Sequence, residues 1–200
     1  MLQLLIDGLH AKGLYLTDAL NKLDESCCTS SKIVLDFDAV KDTYYRQIGF
    51  KGAHSKSCDV LLILPEENRI VFGEMKQMDL LIERFVNTEL GPNTTVSTTI
   101  VEHVSDKIRK KQRPDKKMID SLLLLLDIAR YCQIDADFFP FIFGEECMIE
   151  CYFVMGFASF EQFLLLENLL KAQEKYYCYH KIGAIAFITA EVFDWILEKR

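Results

Sequence analysis

Two apolar runs separated by four turn-forming residues constrain the fold of this 200-residue chain more than any other feature. Val60-Leu61-Leu62-Ile63-Leu64 precedes Pro65-Glu66-Glu67-Asn68, and Arg69-Ile70-Val71-Phe72-Gly73-Glu74-Met75-Lys76 follows. Apolar runs with β-branched residues around a polar, proline-containing turn predict an antiparallel hairpin. A loop of Glu66-Glu67 alone or of all four residues sets Val60 against Gly73 and therefore Asp59 against Glu74, with Cβ atoms roughly 4.5–5.5 Å apart. The four-residue loop is the better choice, because tight two-residue turns favour Gly or Asn. An odd-length loop would turn Asp59 to the other face. Lys76 lies two residues beyond Glu74 and shares its face. Carboxylates that close repel unless a proton or cation lies between them. A divalent metal with an ammonium group beside it resolves the conflict, and that is hydrolytic chemistry.

Alternation assigns Val60, Leu62, Leu64, Val71 and Met75 to one face of the hairpin, and Leu61, Ile63, Ile70 and Phe72 to the other. Both faces are apolar, which predicts interior strands covered on both sides. Polar Asp59, Glu74 and Lys76 then emerge together at one end of a buried sheet, where α/β proteins commonly carry their chemistry.

The remaining pattern reads as α/β. Apolar residues up to Leu23 fit helical burial, with Thr17 or Asp18 capping a second helical start. Residues 33–38 alternate as a strand, and 41–57 read as a loop with some helix. A helix over 79–90 ends at Gly91-Pro92-Asn93. Thr94 to Val101 reads as extended, Ser105 caps a basic segment that Pro114 interrupts, and Met118 to Tyr131 reads as a central buried helix. A strand over 147–156, a helix over 160–176, a strand over 182–188 and a short helix over 191–199 complete a single domain with no internal repeat.

Composition narrows the function classes. Half of the residues are hydrophobic and 12% aromatic, which argues against disorder. No apolar run reaches the roughly 20 residues of a membrane span, and the first residues lack the basic start and small-residue cleavage site of a signal peptide. Seven cysteines, an odd number without zinc-site spacing, fit buried thiols in a reducing cytoplasm. Net charge is −7, yet Lys107, Arg109, Lys110, Lys111, Arg113, Lys116 and Lys117 crowd one short stretch opposed only by Asp115. Such a patch attracts phosphates even on an acidic protein; the plainer alternative is a solvated face. Gly-rich phosphate loops and serine-hydrolase elbows are absent from the sequence.

With Asp59 and Glu74-Met75-Lys76 on a hairpin, the 33–38 strand ahead of it and the 79–90 helix behind, the chain resembles the PD-(D/E)XK nuclease superfamily. Cys58 stands where the family name has proline. The resemblance implies a restriction-endonuclease-like, three-layer α/β core: helix, three-stranded antiparallel meander in a mixed sheet, helix, strand. It implies Asp59, Glu74 and the Met75 backbone carbonyl as ligands of Mg²⁺ or Mn²⁺, and Lys76 as the group that positions the attacking water. Many members add an upstream acid, for which Glu25 and Asp18 are both candidates. The function so implied is a metal-dependent nuclease, with DNA favoured over RNA as substrate and the 107–117 segment holding the phosphate backbone. The alternative is the same fold kept as an inert binding subunit of a defence or repair assembly, with a protein partner or a second copy of itself.

Overall fold

A computed structural model describes residues 1–23, 27–53, 55–85, 87, 102, 103, 106, 110, 113–157, 164 and 185–199. Its centre is the hairpin: β3 (Val60–Leu64) and β4 (Arg69–Gln77) pair antiparallel, with Val60 opposite Gly73 and Leu64 opposite Arg69. The loop has four residues. Pro65–Glu67 form one 3₁₀ turn, and Asn68 closes it in the left-handed conformation at φ 48°. Asparagine tolerates that conformation better than most side chains do, so the local chemistry fixes the even loop length that the register requires.

The hairpin lies within a six-stranded mixed sheet ordered β1 to β6. β1 (Thr17–Ala19), β2 (Ile33–Asp36), β3 and β4 run antiparallel in succession. β5 (Met148–Gly156) then pairs parallel with β4 along its whole length, and β6 (Ala186–Thr189) pairs parallel with β5. Parallel neighbours need a crossover. Between β4 and β5 it contains α3 (Met78–Phe85), α4 (Pro114–Tyr131) and α5 (Asp135–Phe143). The other described helices are α1 (Leu2–Ala11), α2 (Phe37–Gln47) and α6 (Ala190–Glu198).

Both faces of the hairpin are covered. Leu61, Ile70 and Phe72 join a large core with side chains from α1 to α5, including Leu5, Phe37, Ile82, Leu125 and Phe138. Val60, Leu62, Val71 and Met75 join a smaller core with Leu20, Val154, Phe193 and Leu197. The two clusters are the two sets that strand alternation separates in the sequence. Two close approaches set the packing distances. A Cβ at Gly73 would lie 3.3 Å from the Phe193 ring of α6, and one at Gly8 would lie 2.9 Å from Cys132 Cβ beyond α4. Glycine in these elements thus allows backbone contact at some cost in conformational entropy.

Several local expectations need correction. Thr17 and Asp18 begin strand β1, not a helix. Strand β2 stops at Asp36, whose carboxylate accepts a hydrogen bond from the Ala39 N–H at 2.9 Å and caps α2. The mixed region after residue 40 is therefore largely helical as far as Gln47. Pro114 opens α4, where its missing N–H costs nothing. The final strand is Ala186–Thr189, with Thr189 capping α6. The Thr94–Val101 stretch, the Ser105 cap and the 160–176 helix, apart from helical Leu164, lie outside the described residues. No described helix is long and apolar enough to cross a membrane. Among the described residues Cys27, Cys28, Cys58, Cys132, Cys147 and Cys151 are free thiols.

Candidate active site

Asp59 stands just ahead of β3, where the hairpin ladder runs out. Its carbonyl accepts from the Phe37 N–H at 3.0 Å, and its side-chain Oδ2 accepts from the Met75 N–H at 2.7 Å. The carboxylate thus continues by side chain the pairing that the backbone has stopped making. In an extended strand the N–H and C=O of one residue leave from the same edge, so the Met75 carbonyl leaves β4 on the edge from which its N–H reaches Asp59. The Met75 side chain is buried on the opposite face.

Glu74 and Lys76 share the Asp59 face. Lys76 Nζ lies 3.1 Å from Glu74 Oε1 and 3.9 Å from Asp59 Oδ2. Glu74 is fully buried and Lys76 nearly so, at 0% and 7% exposure. A surface ion pair is therefore excluded, and the electrostatics are those of an interior. Burial, then the charge of Glu74, push the Asp59 carboxyl up to about 7 against the opposing pull of Lys76, Lys117 and the Met75 N–H. Among the described residues Glu74 Oε2 is buried without a hydrogen-bond partner.

The fourth member is one that sequence reasoning assigned elsewhere. Lys117, in the first turn of α4, extends its Nζ to 2.5 Å from Glu74 Oε1. Two carboxylates and two ammonium groups therefore meet at the open end of the hairpin. One turn further along the same helix face, Ser121 Oγ accepts from the Cys58 N–H at 2.8 Å, and Met118 packs on the Cys58 thiol. This contact seats α4 on the start of β3 and sets Lys117 over Glu74. A serine within the apolar 118–131 run was the available signal, since a buried hydroxyl must find a partner.

The segment leading into Asp59 is tied down separately. Buried Ser57 hydrogen-bonds Asp38 of α2, and Lys41 Nζ bridges the two, 2.5 Å from Asp38 Oδ1 and 2.9 Å from Ser57 Oγ. Gln77 belongs to the other face. Its Oε1 would lie 2.8 Å from a Cβ at Gly156, beside Cys27.

The basic segment divides. Lys107, Arg109 and Lys111 lie outside the described residues. Lys110 is exposed and pairs with Asp106 at 3.6 Å; Arg113 and Lys116 are exposed around the start of α4. Lys117 departs from the expected phosphate-facing patch because it is turned inward, and the buried charge of Glu74 accounts for that. Of the two upstream acids, Glu25 lies outside the described residues. Asp18 accepts from the adjacent Ala19 N–H at 2.7 Å. Among the described residues no group of three or more His, Cys, Asp or Glu side chains is disposed to hold a metal ion. Compared with family models, with curated proteins and with solved structures, the chain has no match.

Proposed function

We propose that this protein is a metal-dependent nuclease that hydrolyses phosphodiester bonds, with DNA favoured over RNA by the resemblance noted above. The observation that carries the reading is the convergence of Asp59, Glu74 and Lys76 on one face at the open end of the β3–β4 hairpin. Element order supports it: α1, the antiparallel β2–β3–β4 meander, α3, and then β5 alongside β4. The donor set fits Mg²⁺ or Mn²⁺, because hard cations take carboxylate and carbonyl oxygens. Among the described residues Glu74 Oε2 is a buried oxygen with no hydrogen-bond partner, and by strand geometry the Met75 carbonyl shares the edge of its N–H, which reaches Asp59. Asp59, Glu74 and Met75 would hold the cation, which when bound lowers the pKa of coordinated water.

Each side chain then has a task. Asp59 serves as a ligand once deprotonated, with Oδ2 fixed by the Met75 N–H. Glu74 is oriented by burial and by Lys76. Lys76 is an ammonium group within reach of both carboxylates, suited to orienting water and offsetting charge on the scissile phosphate. Lys110, Arg113 and Lys116 are exposed cations suited to the phosphate backbone. The test is a cleavage assay with mixed DNA and RNA and with Mg²⁺ or Mn²⁺. Wild-type protein cuts, and Glu74→Ala and Lys76→Ala each lose activity by at least about 10²–10³-fold, the usual scale for losing one group that stabilises charge in the transition state. Equal cutting by wild type and both variants would falsify the assignment.

One observation favours a second reading, an inert nuclease-fold module that binds a protein partner. Lys76 and Lys117 already balance Asp59 and Glu74 without any metal. Under this reading calorimetry detects no Mg²⁺ or Mn²⁺ binding, and a stoichiometric protein partner co-purifies.

A further inference from the structure

Lys117 sits where its charge has most consequence. Its Nζ and that of Lys76 both address Glu74 Oε1, at 2.5 and 3.1 Å, while Oε2 of the same carboxylate is buried and has no partner among the described residues. Among the described residues two cations crowd one oxygen and none serves the other. The position is also unfavourable for a lysine, since the first turn of a helix carries the positive end of the dipole. An ammonium group held there against helix field and neighbouring ammonium is held by the buried carboxylate. The remedy is local, because the lysine stem is long and the side chain is 15% exposed. Rotation about its side-chain bonds would take the head away from Glu74 without moving α4, which Ser121 keeps seated on Cys58.

We infer that Lys117 is a displaceable internal counter-ion: it neutralises Glu74 in the metal-free protein, competes with a divalent cation for that carboxylate, and on release turns its ammonium group towards the substrate phosphate. The inference rests on the metal-dependent reading of the site and adds a regulator to it. Like charges exclude each other, so occupancy of Glu74 by Lys117 and by a divalent cation are alternatives. A site so guarded loads weakly when alone. It loads more tightly when a phosphate backbone is present to receive the displaced lysine, because each of two ligands that favour the same state strengthens the other. Lys117 is thus a positioning residue that couples metal loading to nucleic acid.

Calorimetric titration with Mn²⁺ alone, on wild type, Lys117→Met and Lys116→Met, tests this. The expected result is Mn²⁺ bound at least about tenfold more tightly by K117M than by wild type, with K116M, which removes a nearby exposed charge, within about twofold of wild type. Detectable binding by K117M where wild type binds none gives the same support. Binding by wild type that K117M does not tighten overturns the inference and leaves the nuclease reading standing. Absence of Mn²⁺ binding in wild type and K117M alike overturns both. Should K117M fail to fold, wild type decides by lysine acylation read by peptide mass spectrometry. Lys117 reacts several-fold faster with Mn²⁺ present, whereas an unchanged or slower rate overturns the inference.

Discussion

The two ends of the β3–β4 hairpin carry similar charges in different surroundings. At the turn, Arg69 lies 3.1 Å from Glu67 and 3.4 Å from Glu150, with carboxylate side chains 35% and 29% exposed. At the open end, Lys76 and Lys117 meet Glu74 and Asp59, with carboxylate side chains 0% and 12% exposed. Distances are comparable and solvation is not. Water screens the first group, so its ions act as a modest clasp. The second group has little water, so each charge depends on the others, and the Asp59 carboxyl titrates far from its ordinary range. Carboxylates become chemically useful where desolvation and mutual repulsion hold them in that state.

The largest expected difference is in stability. Removing both cations from Glu74, in Lys76→Ala with Lys117→Ala, leaves a buried charge uncompensated and costs about 3–5 kcal/mol by urea denaturation. Each single variant costs less, because one ammonium group remains; single losses that sum to the double value would show that the two lysines act independently.

The pH profile follows next. The folded Asp59 value of about 7 stands above the unfolded value of about 3.9, so the folded protein keeps a proton that the unfolded chain releases. Its contribution is full below about pH 4 and is lost as pH rises to about 7, so this group makes stability fall across that window. Asp59→Asn, neutral throughout, removes that decline. Parallel melting-temperature profiles for the two proteins from pH 4 to 8 would contradict the account.

Smaller effects belong to the turn. Asn68→Ala puts a β-carbon residue without a polar side chain at φ 48° and costs about 1 kcal/mol, whereas Asn68→Gly is near neutral. The smallest change is Glu67→Ala, within about 1 kcal/mol and weaker still in high salt, since its partner Arg69 keeps Glu150.

What the sequence made legible follows from the range of the forces involved. Hairpin register depends on neighbours a few residues apart: two apolar runs, 60–64 and 70–72, and an even-length loop between them. These suffice to pair Val60 with Gly73 and to bring Asp59 and Glu74 both within reach of Lys76. Helix α2 was obscured because its cap, Asp36, lies inside an alternating run that reads equally well as strand. Helix α5 was not foreseen: it carries Pro140 in its interior, against the usual rule, and is held by Phe138 and Ile142 buried in the large core. Lys117 was legible as a cation but not as part of the site. Its partner is 43 residues away, and only the docking of α4 on Cys58 brings them together.

Phe193 against Gly73 has a practical consequence. The ring of α6 supports the strand from behind, directly beside the residue that carries the buried glutamate. A chain cut ahead of Ala190 would lose the prop under β4 as well as a helix, and a bulky fusion partner joined within 190–198 would wedge against the same spot. Limited proteolysis that removes α6 should therefore loosen β4 beside Glu74, read as a lower melting temperature of the cut protein.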